Sequence, residues 1–217
     1  MPKPTVYLVE DDAFVCQSLV ELFRKEQFLV EAFASPNDLL NVFDSSFRGC
    51  LVLDLLLGPM NGIELQQKLL KMGCTLPFVI ISARGDIPDA TEAMRLGAID
   101  FLQKPVKPDL LIDRVKRAFA YDERQVKMRA EVNGIKRRID LLSERENEIM
   151  ELVVSGHLTK NIASRLGISV KTVEAHRSNI TKKMKVKSVV QLVRQVLKYQ
   201  IAGDSSNRGC CTSRGDI

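Results

Sequence analysis

The sequence lacks the features that would place it in a membrane or in a secreted class. None of its apolar stretches approaches the roughly 18 to 20 residues that a membrane helix needs. The first residues, MPKPTVYLVEDD, carry acidic side chains where a signal peptide has small ones, so we expect no signal peptide. With 45% apolar and 27% charged residues, the chain also lacks the composition of a disordered protein. We therefore expect a soluble, cytoplasmic protein with no membrane partner.

Cysteine and histidine are too few and too scattered for a disulfide framework or a zinc site. The two histidines, His157 and His176, are far apart in helical phase and have no companion ligands. The five cysteines are odd in number and lack metal-ligand spacing: Cys16, Cys50, Cys74, Cys210 and Cys211. The first three are expected to fill space in or near a core. The last two lie in a Gly- and Ser-rich tail, where plain exposed thiols are favoured over redox or lipid-anchor roles.

Charge is divided unevenly along the chain, which has a length suited to two small domains. Residues 1–122 carry 17 acidic and 13 basic side chains, a net charge of −4. Residues 123–217 carry 10 acidic and 19 basic side chains, a net charge of +9. An acidic half joined to a basic half indicates two separate activities, the second of which involves a polyanion.

The first half alternates short β-branched runs with amphipathic stretches. Several of the runs are apolar on both faces, as buried parallel strands are. The predicted strands cover 5–9, 28–33, 50–53, 77–82 and 99–103, and the predicted helices cover 13–26, 36–45, 62–73, 87–96 and 108–120. Five such βα units predict an α/β fold with an open, doubly wound, five-stranded parallel sheet.

Polar residues stand at the carboxyl ends of four of these strands. The first strand ends in Glu10, Asp11 and Asp12, and the third in Asp54. Ser82 ends the fourth strand, and Lys104 follows the fifth. Because ligands of such sheets bind beyond the carboxyl ends of the strands, we expect these side chains to converge on one patch.

This set of residues suits phosphoryl acceptance. Adjacent carboxylates repel one another unless a cation compensates, and Mg²⁺ prefers one or two carboxylates together with phosphate oxygens. Asp54 is then the expected nucleophile, which would form an aspartyl phosphate by in-line attack. Lys104 could pair with one phosphoryl oxygen, and the Ser82 hydroxyl could donate to another.

From Thr5 to Asp122 the sequence resembles the receiver domain of two-component response regulators. The segments VEDD, LVLD, VIISA and GAIDFLQKP match, and their spacing needs no gaps. The resemblance implies that a partner histidine kinase donates phosphate to Asp54. It also implies a magnesium site formed by Asp11, Asp54, the Leu56 carbonyl and, through water, Glu10.

The same resemblance implies a switch and one local departure. Ser82 and Phe101 would be the switch pair, and the Lys104-Pro105 bond would be cis. Receivers usually have proline four residues after the acceptor aspartate, whereas this chain has Gly58 there and Pro59 next. We therefore expect the loop after the third strand to differ in shape.

The second half has the pattern of a helix-turn-helix protein. A charged helical linker is expected to be interrupted at Asn133-Gly134. Ser143 and Glu146 form a capping box that opens a helix reaching about Val154. Further helices are predicted at 159–166, 170–184 and 188–199, with a turn at Gly167. The predicted domains are a receiver at 4–122, a linker at 123–139, a small all-α DNA-binding domain at 140–200 and a disordered tail at 201–217.

The helix that begins near Val170 has the pattern of a recognition helix. Val173, Ile180 and Met184 fall on one apolar stripe. A face of short and polar residues suits the major groove, and the opposite face carries Lys171, Ala175, Ser178 and Lys182, flanked by Glu174 and Arg177. An ordinary solvated helix is the alternative, but the preceding helix, the turn and the net charge favour DNA.

Residues 140–198 resemble the LuxR-type four-helix DNA-binding domain through SERENEIMELV, NIASRLGIS and KTVEAHRSNI. Together with SARGDIP in the first half, they make the whole chain similar to the NarL/FixJ response regulators, in the FixJ-like branch. This resemblance implies that Glu174, Ala175 and Ser178 face bases of double-stranded DNA. The residues it implies for phosphate contacts, which set register, are Lys160, Asn161, Thr172, His176 and Lys182.

Three functions stay open at this point. The leading one is a transcription regulator, not a turnover enzyme, that forms a homodimer on phosphorylation. A magnesium-dependent phosphatase of the aspartyl-nucleophile type shares the sheet, but it usually needs a second aspartate where this chain has Leu56. A constitutive DNA-binding protein with a vestigial receiver is the third. Phosphorylation of a regulator could either free the recognition helix or pair two of them.

Overall fold

The computed structural model describes residues 3–83 and 86–208, which divide between Val126 and Lys127 into two compact units. The first unit has the elements Thr5–Val9 (β1), Ala13–Lys25 (α1), Leu29–Phe33 (β2), Pro36–Val42 (α2), Gly49–Asp54 (β3), Leu56–Leu57 (β4), Met60–Asn61 (β5), Gly62–Lys71 (α3), Phe78–Ser82 (β6), Ile87–Arg95 (α4) and Asp100–Gln103 (β7). Helix α5, Pro108–Ile139, runs from the first unit into the second. The second unit continues with Glu144–Val154 (α6), Thr159–Leu166 (α7), Val170–Met184 (α8) and Val189–Arg208 (α9).

The sheet of the first unit confirms the predicted fold class. Its five strands are parallel and stand in the order β2-β1-β3-β6-β7. The three central strands are buried on both faces, as their uninterrupted apolar runs predict. Alternate residues point to opposite sides, so Leu53 and Ile80 belong to one core cluster while Val52 and Val79 belong to the other.

Between β3 and α3 the chain forms a short hairpin that the sequence pattern did not predict. Strands β4 and β5 are antiparallel, with Leu56 opposite Asn61 and Leu57 opposite Met60. A two-residue loop of Gly58 and Pro59 joins them. The exchanged glycine and proline, for which we expected a different loop shape, form the turn of this hairpin.

Helix α5 is continuous, so the interruption expected at Asn133-Gly134 is absent. Gly134 weakens a helix by about 1 kcal/mol relative to alanine. Burial compensates for that cost, because Ile135 is fully buried in the core of the second unit. The segment predicted to be a linker therefore supplies a core residue to the second unit.

The second unit has the predicted helix-turn-helix order. Ser143 and Glu146 form the expected capping box at the start of α6. Gly167 ends α7 in the left-handed conformation with φ 64°, which glycine adopts without strain. The apolar stripe of α8, formed by Val173, Ile180 and Met184, is buried as predicted.

The last helix differs from its predicted bounds. Helix α9 continues to Arg208, so residues 201–208 are helical and do not belong to a disordered tail. The remaining tail, with Cys210 and Cys211, lies outside the described residues. In the part of the chain that the structure describes, no helix is long and apolar enough to cross a membrane.

Candidate functional site

Three carboxylates meet at the carboxyl edge of the sheet. Glu10, Asp11 and Asp54 each offer an oxygen atom, and these atoms lie within 4.8 Å of one another. Glu10 and Asp54 are buried, whereas Asp11 is exposed. Asp12, the third acidic residue after β1, instead caps α1 by accepting two backbone N–H groups at 2.8 and 3.0 Å. The structure therefore brings together the carboxylates that sequence reasoning grouped.

Lys104 lies between two of these carboxylates. Its Nζ is 2.9 Å from Oε2 of Glu10 and 2.8 Å from Oδ2 of Asp54. The Lys104 N–H donates to the Ser82 carbonyl at 2.7 Å, and the Lys104-Pro105 bond is cis. Ninety-four residues separate Lys104 from Glu10, so only the return of β7 to the sheet makes this contact.

The pKa values of the pocket reflect competition between burial and pairing. Burial raises the pKa of Glu10, and this effect outweighs the hydrogen bond from Lys104, which lowers it. For Lys104, burial favours a lower pKa, but its bonds to Asp54 and Glu10 together raise it. Lys104 therefore stays charged and offsets part of the negative charge in the pocket.

The pocket fits Mg²⁺ by the chemistry of its donors. Carboxylate and carbonyl oxygens are the ligands of hard divalent cations. The bridging contact of Lys104 shows that these carboxylates attract positive charge. The Leu56 N–H lies 3.4 Å from Oδ1 of Asp54, so the Leu56 backbone borders the pocket. The Leu56 side chain is half exposed and has no group that can transfer protons.

The residues expected to act as a switch lie on two neighbouring strands. Ser82 is fully buried at the end of β6, and its register partner on β7 is Gln103. Phe101 is half-buried and packs against the core cluster that contains Ile80. Arg84, within the SARGDIP motif, lies outside the described residues.

Most of the proposed DNA-contacting side chains lie on the open faces of α7 and α8. His176 and Arg177 are half-buried, and Nη1 of Arg177 donates to Oγ1 of Thr159 at 3.1 Å. Arg177 thus has a partner within its own domain, at the first residue of α7. The exposed members of the set are Lys160, Asn161, Lys171, Thr172, Glu174, Ala175, Ser178 and Lys182.

Sequence reasoning missed one ion pair that holds α8. Nζ of Lys183 lies 2.6 Å from Oε2 of the buried Glu146 on α6. Glu146 also accepts the Ser143 N–H at 2.9 Å within the capping box. The Lys183 hydrogen bond, and then the backbone one, lower the pKa of Glu146. The capping signal identified Glu146, but its partner is 37 residues away and no local pattern marks it.

Comparisons with known proteins agree with both units. The family model described as response regulator receiver domain matches residues 6–116, and the one described as bacterial regulatory proteins, luxR family, matches residues 140–196. The chain is 38% identical over 192 residues to the response regulator protein TmoT of Ectopseudomonas mendocina, which covers 88% of this chain and 87% of that protein. It is also 38% identical over 200 residues to the transcriptional regulatory protein FixJ of Rhizobium meliloti, covering 91% and 97%.

Solved structures give the same result. A low-resolution structure of the response regulator StyR matches with a TM-score of 0.80 and 37% identity, covering 91% of this chain and all of that one. The fold and the acidic pocket define the chain as a response regulator. It belongs to the response regulator receiver family and carries a LuxR-type DNA-binding domain, the organisation of the NarL/FixJ regulators.

Proposed function

We propose that this response regulator is switched by magnesium-dependent phosphorylation of Asp54 by a partner histidine kinase. The phosphorylated state then controls dimerisation and sequence-specific binding of double-stranded DNA. The observation that carries the proposal is the contact of Lys104 with both Glu10 and Asp54, at the strand edge where Ser82 also ends its strand. The proposed nucleophile Asp54, the compensating charge of Lys104 and the hydroxyl of Ser82 therefore lie at the same edge of the sheet.

The metal would be held by Glu10, Asp11, Asp54 and the Leu56 carbonyl, with Glu10 acting through water. Bound Mg²⁺ supplies positive charge that neutralises the phosphoryl oxygens during transfer. Asp11 is exposed, so it can accept the ion from solvent. Glu10 and Asp54 are buried, which strengthens their attraction for any cation that enters.

The transfer itself uses Asp54 as the nucleophile. One Asp54 carboxylate oxygen forms a bond to phosphorus while the bond from phosphorus to the imidazole nitrogen of the kinase histidine breaks. The imidazole keeps the electron pair of that bond and takes a proton from solvent. Lys104 then exchanges its carboxylate partners for a phosphoryl oxygen, a charge-assisted contact that is favourable for an ammonium group.

The phosphoryl group is read out by Ser82 and Phe101. The Ser82 hydroxyl moves to donate to a phosphoryl oxygen, and the Phe101 ring turns inward to occupy the space that this leaves. Because Ser82 precedes α4 and Phe101 lies on β7, the surface formed by roughly residues 86–120 changes. This surface is proposed to carry the signal, either by pairing two receivers or by releasing the recognition helix.

On DNA, α8 would enter the major groove. Glu174, Ala175 and Ser178 are proposed to face bases, because they lie on its exposed side. The proposed phosphate contacts come from Lys160, Asn161, Thr172, His176 and Lys182, and Lys171 lies on the same exposed face of α8 as Ser178. A dimer would place two such helices about 34 Å apart, on half-sites about 10 base pairs apart or on a related spacing.

The two other candidate functions have less support. A phosphatase needs a general acid near Asp54, and the half-exposed Leu56 occupies the usual position. A vestigial receiver has no use for Lys104 between two buried carboxylates, which is costly to maintain without a ligand.

The test is incubation of the protein with acetyl phosphate and Mg²⁺, followed by intact mass measurement. Wild type should gain one phosphoryl group, and Asp54→Ala should gain none. Asp44→Ala, which alters an exposed aspartate outside the pocket, is the matched control and should be modified normally. A normal gain of mass in Asp54→Ala would overturn the assignment.

A further inference from the structure

The hairpin beside Asp54 depends on the order of glycine and proline in its turn. Gly58 has a φ of +73°, which L side chains rarely adopt. Two-residue hairpin loops require a positive φ at the first central residue, and a type I′ turn requires it at the second as well. Pro59 has φ restricted to about −65°, so only a type II′ turn fits. Proline at position 58 would be incompatible with the observed φ, and the exchanged order therefore permits this hairpin.

The register of the hairpin leaves the Leu56 backbone free of the ladder. The Gly62 N–H donates to the Leu55 carbonyl at 2.8 Å, so residues 55 and 62 occupy a hydrogen-bonded pair position of the ladder, although the Leu55 N–H itself donates to the Ile81 carbonyl. Such pairs alternate with non-hydrogen-bonded ones, which makes Leu56 and Asn61 a pair without ladder bonds. The N–H and the carbonyl of Leu56 therefore both point away from β5.

The side of the hairpin to which the Leu56 N–H and carbonyl point is the side on which the acidic pocket lies. The Leu56 N–H lies 3.4 Å from Oδ1 of Asp54, which identifies the side to which it points. Leu56 lies within a strand, where the N–H and the carbonyl of one residue point to the same side. The Leu56 carbonyl is accordingly directed to the side on which the carboxylates lie.

The base of the hairpin is firmly attached to the domain. The Leu55 N–H donates to the Ile81 carbonyl at 2.7 Å, and Leu57 is 2% exposed within the core. Asn61 caps α3 by accepting the Glu64 N–H at 2.8 Å. Both ends are thus held by packing and hydrogen bonds, while the tip depends on the backbone conformation of Gly58. A Cβ at Gly58 would meet no atom within 4 Å, so a substitution there acts through conformation alone.

We propose that the Gly58-Pro59 turn is a positioning element for the divalent-cation site: by closing the hairpin, it holds the Leu56 carbonyl toward the carboxylates before a cation arrives. This inference rests on the proposed magnesium site. A ligand group that is already in place needs no ordering when the ion binds, and this raises affinity. Gly58 touches no ligand, so its contribution is to the position of Leu56.

The test is calorimetric titration of Mg²⁺ into the unphosphorylated full chain. Gly58→Val places a β-branched residue at positive φ and should raise the dissociation constant for Mg²⁺ by about tenfold, since such strain costs on the order of a tenfold change in equilibrium. The matched control is Gly73→Val, at φ +84° and equally open around its Cβ, which lies in the turn after α3.

The outcomes separate this proposal from the proposed function. Gly73→Val should lower the melting temperature without changing the affinity for Mg²⁺. An unchanged affinity in Gly58→Val, or an equal loss in Gly73→Val, would overturn the positioning role. If Gly58→Val fails to fold, Gly58→Ala decides: a dissociation constant about threefold higher supports the role, and a wild-type value overturns it. Failure of wild-type protein to bind Mg²⁺, or normal binding by Asp11→Asn, would instead contradict the proposed metal site.

Discussion

Single residues of the pocket and of α8 divide into those proposed to touch a ligand and those that hold another residue of the same domain. Lys104 compensates two carboxylates, and in the proposed reaction it moves to the phosphoryl group. Arg177 resembles a DNA contact in sequence, yet it donates to Thr159 in the same domain. The exposed Ser178 and Lys182 have no such partner within the described contacts of their side chains, and they are the clearest residues for separating base reading from phosphate binding.

At this scale we expect Ser178→Ala and Lys182→Ala to affect DNA binding differently. Ser178→Ala should change the relative affinity for sites that differ at one base pair, by about 1 kcal/mol, because a contact to a base edge is lost. Lys182→Ala should weaken binding to all sites alike. It should also reduce the slope of log binding constant against log salt concentration by about one. Shift assays with a panel of operator variants at several salt concentrations measure both. Equal effects of Lys182→Ala and Ser178→Ala on sequence preference would contradict the assignment.

At the scale of the helix, α8 is held to its neighbours at two points. Arg177 bonds the first residue of α7, and Lys183 bonds Glu146 on α6. Together with the buried stripe on its other face, these contacts orient the exposed surface of α8. Helix α5 has a comparable role at its end, because Ile135 joins the same core.

We expect Glu146→Gln to destabilise the second unit in a pH-dependent manner. At neutral pH the loss should be about 1 kcal/mol, a value that allows for the partial exposure of Lys183. The folded pKa of Glu146 is lowered, so its contribution is complete above the unfolded pKa of about 4.3 and is lost as pH falls through the folded pKa. The measurement is urea unfolding of residues 127–217 between pH 7 and pH 3.

The difference between wild type and Glu146→Gln should therefore shrink below about pH 4.3. Glu144→Gln, at an exposed position in the first turn of the same helix, is the control and should stay within about 0.5 kcal/mol of wild type. If the difference in the free energy of unfolding between wild type and Glu146→Gln grows as the pH falls, the ion pair does not stabilise the fold in the way proposed.

The end of α5 should prove necessary for the stability of the second unit. Ile135→Ala removes a fully buried side chain and should cost about 2–5 kcal/mol in the free energy of unfolding. Met128→Ala, at a side chain that is 46% exposed on the same helix, should cost far less. A fragment of residues 140–217 lacks Ile135 and should be less stable than residues 127–217. Equal stability of the two fragments in urea would contradict this role of α5.

For the whole molecule, the two units have opposite net charge and separate hydrophobic cores, and the proposed function requires a signal to pass from the first unit to the second. A phosphoryl group adds about −1.5 to −2 charges to the receiver. The proposed response is a change in the availability or pairing of α8. The coupling can be measured without knowing which of these two routes operates.

We expect phosphorylated wild type to bind promoter DNA more tightly than Asp54→Ala under the same phosphorylating conditions. Affinity should fall as salt increases, because phosphate contacts release counterions. Shift assays with and without acetyl phosphate provide the measurement, and a dimer should appear as cooperative occupation of paired half-sites. If Asp54→Ala binds as tightly as the phosphorylated protein, the receiver has no control over DNA binding.

The sequence alone determined the elements and the composition of the site. Strands β1, β3 and β6 and helices α7 and α8 are within a residue or two of their predicted bounds, because their apolar periodicity is a local property. The positions of Asp54, Ser82 and Lys104 at strand ends followed from the same pattern together with the topology of parallel sheets.

Only the tertiary structure decided how distant side chains pair and where local signals are overridden. The contacts of Lys104 with Glu10 and of Lys183 with Glu146 join residues 94 and 37 positions apart, and periodicity carries no information at such separations. Gly134 suggested a helix end, but burial of Ile135 outweighed a propensity cost of about 1 kcal/mol. The Gly58-Pro59 hairpin is a further case in which the tertiary structure decides. The dipeptide allows a turn, and the anchoring of Leu55 and Leu57 in the domain selects the hairpin that is observed. Local sequence sets preferences of about 1 kcal/mol, and packing over the whole domain supplies the larger free energies that choose among them.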